Sequence, residues 1–163
     1  MQIEVIEADL LAFEGDAILV PTISDGTMSE GIAARVREIV GAEIEREVMS
    51  HAPIAVGAAL VTKAPNMGVR YLIHVPLLEE IGMRIGVENI RRATRAGLLG
   101  ATRFELDRVG VPGIGYGESG VPHDEAARAI IDEVAACKGS HPTQVALIDR
   151  DAEMLDAFRQ QKF

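Results

Sequence analysis

The stretch Val111 to Pro122, VPGIGYGESGVP, sets four glycines (Gly113, Gly115, Gly117, Gly120) within eight residues, bounded by Pro112 and Pro122. Glycine reaches positive φ and has no Cβ to hold an approaching group away, so such a loop can turn its backbone N–H groups around an anion. A strand-like run, Phe104 to Val111, precedes it, and a helix-like run, Asp124 to Ala136, follows and would add the positive end of its dipole. The chemistry this suggests is a grip on phosphate made by backbone rather than by lysine or arginine. The same spacing also suits a strand-to-helix turn that needs glycine only to bend. Glu118 inside the loop and His123 and Asp124 beyond it are candidates for acid–base work, against a plainer role as helix-capping residues.

Other reactive side chains carry less. His74 ends an apolar strand-like run, where a core or strand-end histidine is the simpler reading, and His51 and His141 have no ligand spacing between them. With no HxxxH, no CxxC and no Asp-rich calcium loop, neither a metal nor a cofactor is expected. Ser24 and Ser119 lack the context of a nucleophile elbow. No Gly-Lys-Ser/Thr follows the glycines, which excludes a P-loop, and they come too late in the chain for a dinucleotide fingerprint.

The elements that must position this loop alternate along the 163 residues with no linker or low-complexity stretch, which predicts one domain spanning 1–163. Gln2 to Ile6 alternates as a half-buried strand, and Asp16 to Val20 is the continuous apolar run of a central one. Pro21 to Gly31 reads as a loop; Ile32 to Glu38 and Ala42 to Ser50 carry helical periodicity around Gly41. Ala58 to Lys63 and Arg70 to Val75 form a strand pair about a Pro-Asn-Met-Gly turn. Helical character returns from Ile85 to Leu99, and the chain closes with a strand, Val145 to Ile148, and a helix, Asp151 to Gln160. About six strands alternating with helices predict a three-layer α/β/α sandwich around a mixed sheet. Ligands of such sheets gather beyond the carboxyl ends of central strands, where the loops 21–31 and 112–122 are both expected.

Composition narrows the partners. The formal charge of −9, with 25 acids against 16 bases, argues against a nucleic-acid polymer. Arg91, Arg92 and Arg95 lie at helical spacing and read as a solvated face. No run approaches the roughly 18 apolar residues needed to cross a bilayer. The start, MQIEVIEADL, has no basic region of a signal peptide, and Cys137 is the single cysteine; a cytoplasmic protein is expected.

Five segments in order resemble the macro domain family, over about Ile3 to Ile148. Glu7-Ala8-Asp9-Leu10-Leu11 stands where the family has Gly-Asp-Ile-Thr, and Gly15-Asp16-Ala17-Ile18-Leu19-Val20 matches its Val-Asp-Ala-Ile-Val. Gly57-Ala58-Ala59-Leu60-Val61-Thr62 echoes Gly-Glu-Ala-x-x-Thr, and Tyr71-Leu72-Ile73-His74-Val75 the strand ending Ile-Ile-His. Pro112, Ile114, Gly117, Gly120 and Pro122 fall in register with the family's second phosphate loop. The resemblance implies ADP-ribose as a small-molecule ligand. Asp9, with Leu10 beside it, would meet the adenine amino group. Ile114, Gly115, Tyr116, Gly117 and Glu118 would wrap the diphosphate with backbone, and Ser29, Glu30, Gly31 and Ile32 would close its other side. Ser119 would face the distal ribose.

The chain departs from the family where turnover is concerned. Val20-Pro21-Thr22-Ile23 replaces Asn-Ala-Ala-Asn, so Ile23 stands for the asparagine that orients ribose or water in hydrolytic members. The glycine run of the first loop is thinned to Asp25-Gly26-Thr27-Met28-Ser29-Glu30-Gly31, and Ser119 replaces the aromatic over the distal ribose. The lysine and aspartate of an ester-cleaving branch fall near Val75 and at Ser119. Three readings stay open: an ADP-ribose-binding module, a hydrolase of ADP-ribose derivatives (an O-acetyl ester, a 1″-phosphate or ADP-ribosylated protein) using Glu118 or His123, and a fold retained for protein contacts.

Overall fold

The apolar run opened by Asp16 becomes the middle of a sheet. Strand β2 (Gly15–Ile23) buries Ala17, Ile18, Leu19 and Val20 completely, as a parallel strand covered on both faces must. The computed structural model describes residues 1–118 and 120–161. Around β2 lie β1 (Gln2–Glu7), β3 (Leu60–Lys63), β4 (Val69–Leu78), β5 (Arg108–Pro112) and β6 (Gln144–Asp149), in the order β1-β6-β5-β2-β4-β3. The first five in that order are mutually parallel and β3 runs antiparallel to β4, so the sheet is mixed.

Alternation along β2 divides the core. Ala17 and Leu19 face the cluster built with α3 (Val87–Arg103), α4 (His123–Ala136) and α5 (Ala152–Gln160). Ile18 and Val20 face Met28 and the apolar sides of α1 (Gly31–Val40) and α2 (Ala42–Met49), joined by Leu10 and Phe13 around a short 3-10 turn at Leu10–Ala12. The result is the expected α/β/α sandwich. A Cβ at Gly97 would collide with Leu19, so glycine lets α3 lie close against β2.

Several boundaries differ from expectation, among them the end of the strand at Val75, which runs on to Leu78, and two with a clear physical reason. Phe104 is the C-cap of α3 and half exposed rather than the start of a strand, because the helical period runs on through buried Leu98 and Ala101; β5 begins at Arg108. Pro21-Thr22-Ile23 extend β2 instead of opening a loop, pairing with the end of β4 through a bulge at Thr22/Ile23. β2 pairs with β5 only at Ala17 and Ile18, so Pro21, with no N–H to give, falls where β2 is paired on one side. Beyond Ile18 the pairing between the two strands stops, which leaves an unpaired gap in the ladder at their carboxyl ends.

Candidate functional site

Five parallel strands deliver their carboxyl ends to one edge of the sheet, and strand order sets the sequence of segments along it. From one side to the other come Asp9 after β1, Asp149 to Asp151 after β6, the glycine loop after β5, residues 24–30 and the start of α1 after β2, and residues 79–86 after β4. The glycine loop and the 24–30 segment flank the β2/β5 gap, the switch point where open α/β sheets hold ligands.

The glycine loop is closed on itself by backbone hydrogen bonds, and its shape requires its glycines. Val121 N–H donates to Gly115 O at 2.9 Å, Gly120 N–H to Gly117 O at 3.1 Å, and Gly117 N–H to Val121 O at 3.3 Å. Gly115 has φ +76°, and a Cβ there would collide with Ile90; a Cβ at Gly120 would collide with the Gly115 carbonyl. Gly117 has φ +110° and faces open space. Among the described residues, the N–H groups of Ile114, Gly115, Tyr116 and Glu118 have no hydrogen-bond partner, whereas that of Gly117 is turned inward. Ser119 lies outside the described residues. Tyr116 anchors the loop to β6 through its hydroxyl, which donates to Asp149 Oδ2 at 3.0 Å; burial and the nearby carboxylate push the phenol up.

Opposite, residues 24–30 are held by side chains. Met28 N–H donates to Glu45 Oε2 at 2.7 Å and Thr27 N–H to Asp25 Oδ1 at 2.9 Å, while Ser24 N–H reaches Leu78 O at 3.0 Å. Ser29, Glu30 and Gly31 are exposed and Ile32 half-buried at the amino end of α1. They border a cavity of about 290 Å³ whose other walls include Thr22, Ile23, Leu78, Ile81 and Ile85. The glycine loop touches this cavity through Ile85, which packs on Gly115, rather than lining it. Sequence spacing gives no sign of the walls that β4 and residues 79–86 contribute. Thr22 Oγ1 is buried there without a partner among the described residues.

At the far end, Asp9 caps the 3-10 turn, its Oδ1 accepting from Leu11 N–H at 3.0 Å, with Leu10 buried beneath. Its carboxylate also pairs with Arg35 of α1 at 2.8 Å. Burial alone would raise the Asp9 carboxyl, but the Leu11 N–H and the Arg35 guanidinium outweigh it and hold the group below the usual carboxylate range. Neither Arg35 nor Arg150, 4.0 Å from Asp9, stands out in the sequence.

Comparison with known proteins decides the family. The macro domain family model matches residues 21–130, and a protein of Aquifex aeolicus is 37% identical over 158 residues, covering 97% of this chain and 96% of its own. The chain belongs to the macro domain family. The fold agrees: a Trypanosoma brucei macrodomain in complex with ADP-ribose superposes with a TM-score of 0.85 at 18% identity, over 98% of this chain and 68% of that one. The macrodomain of Thermus aquaticus DarG gives 0.78 at 16% identity, over 91% and 98%.

The acid–base candidates of this macro domain lie on or beside the glycine loop. His123 opens α4 with its ring 4.8 Å from that of Tyr116, and its nitrogens face Asp151 Oδ1 at 3.5 Å and Glu153 Oε2 at 3.6 Å. Glu118 is exposed and has no bonding partner among the described residues. His74 is fully buried with Nε2 2.9 Å from Thr62 Oγ1 and Nδ1 without a partner among the described residues, and burial pushes it down to about 4. Among the described residues no group of His, Cys, Asp or Glu is placed to hold a metal, and no helix is long and apolar enough to cross a membrane.

Proposed function

We propose that this macro domain binds ADP-ribose or a close derivative across the carboxyl edge of its sheet, the diphosphate being held by backbone. The observation that carries the reading is the order of groups along that edge. A carboxylate with an open flank comes first, then a loop with unpaired N–H groups across a gap from a helix amino end, then an apolar cavity. Base, diphosphate and distal ribose succeed one another in the same order. Four strand spacings of about 4.8 Å put the ends of this edge roughly 19 Å apart, the reach of an extended dinucleotide-like ligand. The T. brucei macrodomain in complex with ADP-ribose, similar in fold, supports the same reading. Backbone dipoles favour an anion locally despite the charge of −9.

Binding proceeds without rapid turnover. Ile23, at the cavity wall, offers neither donor nor acceptor to a water, and His123 is turned towards Asp151 and Glu153. The single cysteine and the acidic charge suit a cytoplasmic protein. Calorimetry with ADP-ribose, ADP, AMP and NAD tests the proposal: ADP-ribose is expected to bind most tightly, and equal, weak binding of all four would overturn it. Rapid hydrolysis of O-acetyl-ADP-ribose, abolished in Glu118→Gln or His123→Ala, would make the protein a hydrolase instead.

A further inference from the structure

Asp9 meets any ligand as half of a pair. Arg35 Nη2 donates to Oδ1 at 2.9 Å and to Oδ2 at 2.8 Å, and Leu11 N–H takes a second position on Oδ1. A carboxylate offers about four lone-pair sites, so this arrangement leaves one open, on Oδ2. Arg150 borders that approach with Nη1 at 4.0 Å, too far to bond. Arg35 in turn keeps its Nε and Nη1 hydrogens, for which the described residues supply no partner. The side chains of Arg35 and Asp9 stay 43% and 31% exposed, so a ligand can reach both.

Resting on the binding mode above, we propose that Asp9 and Arg35 read the nucleobase together, as one acceptor–donor edge. Oδ2 accepts from the exocyclic amine while an Arg35 N–H donates to the ring nitrogen beside it. An amide side chain grips adenine through N6 and N7 in the same sense; here two charged side chains from separate elements supply the two halves, and their salt bridge fixes the spacing. Arg35 lies one helical turn beyond Gly31, so the helix end that closes on the diphosphate also carries the group that reads the base. A base with a keto oxygen in place of the amine, held in the same pose by the diphosphate, sets acceptor against acceptor at Oδ2 and is disfavoured.

Calorimetry of the whole chain with ADP-ribose and with its hypoxanthine counterpart tests this. The wild type is expected to favour ADP-ribose by tenfold or more. Arg35→Met, which keeps the apolar stem, should weaken ADP-ribose at least fivefold and shrink the preference to threefold or less, leaving the hypoxanthine ligand little changed. Arg35→Lys should hold the melting temperature without restoring the preference, because a point charge cannot serve Asp9 and a ring nitrogen at once. Equal weakening of both ligands in Arg35→Met would reduce Arg35 to a general attraction for anions and overturn the proposal. An unchanged or tighter ADP-ribose affinity would also overturn it, the tighter one marking Arg35 as a competitor for Asp9. Failure of the wild type to bind ADP-ribose would instead sink the proposed function, and this inference with it.

Discussion

The two edges of the sheet treat polar groups in opposite ways. At the amino edge, Asp16 Oδ2 accepts from the N–H groups of Asp107 and Arg108, both at 2.9 Å, and Oδ1 from Arg70 Nη2 at 2.7 Å. Arg108 in turn donates to Glu4 Oε1 at 2.6 Å and Glu14 O at 3.2 Å and lies 4.8 Å over the Phe13 ring. Here charge meets charge and the chain closes on itself. At the carboxyl edge, four N–H groups of the glycine loop and Thr22 Oγ1 lack partners among the described residues, and a cavity stands between the start of α1 and residues 77–85. Unmade hydrogen bonds are costly unless solvent or a ligand completes them. The amino edge therefore reads as structure and the carboxyl edge as the candidate site.

The largest expected effect separates the edges outright. Gly117 faces open space, so in the proposed binding mode Gly117→Val should lower ADP-ribose affinity at least a hundredfold in a titration. The chain should stay folded, with a strain cost on the order of 1–3 kcal/mol from the positive φ. Asp16→Ala should do the reverse: a loss of about 2–3 kcal/mol in denaturant melts, from the donors left behind, with affinity unchanged within twofold. Burial alone would raise the Asp16 carboxyl, but the N–H of Arg108, Arg70 and the N–H of Asp107 hold it below its ordinary 3.8. Its contribution is thus present above pH 4 and lost as pH falls through the folded-state value, and Asp16→Asn should flatten that acid limb. Lost affinity in Asp16→Ala would break the contrast.

What the sequence disclosed divides along the same line. Periodicity and glycine spacing are local properties, and they were sufficient for the alternating strands and helices, the mixed sheet and the place of the glycine loop after β5. The cavity walls were hidden, because Leu78, Ile81 and Ile85 come to the site through strand order rather than spacing. Arg35 was hidden for the same reason: on α1 it reads as one more exposed helix charge, and only the fold brings it to Asp9, 26 residues earlier. Pro21 to Ile23 read as loop because proline and polar residues weigh against a strand; the separation of β2 from β5 is what admits them.

His74, buried between the edges, sharpens the contrast by pH. Held down to about 4, it stays neutral while the unfolded chain takes up a proton near 6.5. A histidine with a depressed folded-state value contributes fully above the unfolded value and loses its contribution as pH falls towards the folded one. Between pH 7.5 and 5 the wild type should therefore lose about 2 kcal/mol more stability than His74→Gln, measured by denaturant melts. Equal losses would mean that Nδ1 finds a proton-stabilising partner.

The smallest effect concerns Asp9, which shares features of both edges. It caps a turn and pairs with Arg35, as a structural carboxylate does, yet the pair is partly exposed and keeps an open lone-pair site. Exposed ion pairs contribute about 0–1 kcal/mol, so Asp9→Ala should shift the melting temperature little. The loss of a charge-assisted bond to the base should weaken ADP-ribose roughly tenfold, about 1.4 kcal/mol. A variant that melts several degrees lower and binds ADP-ribose unchanged would move Asp9 into the company of Asp16. The site would then begin at the glycine loop, and base recognition would have to come from the backbone around Leu10.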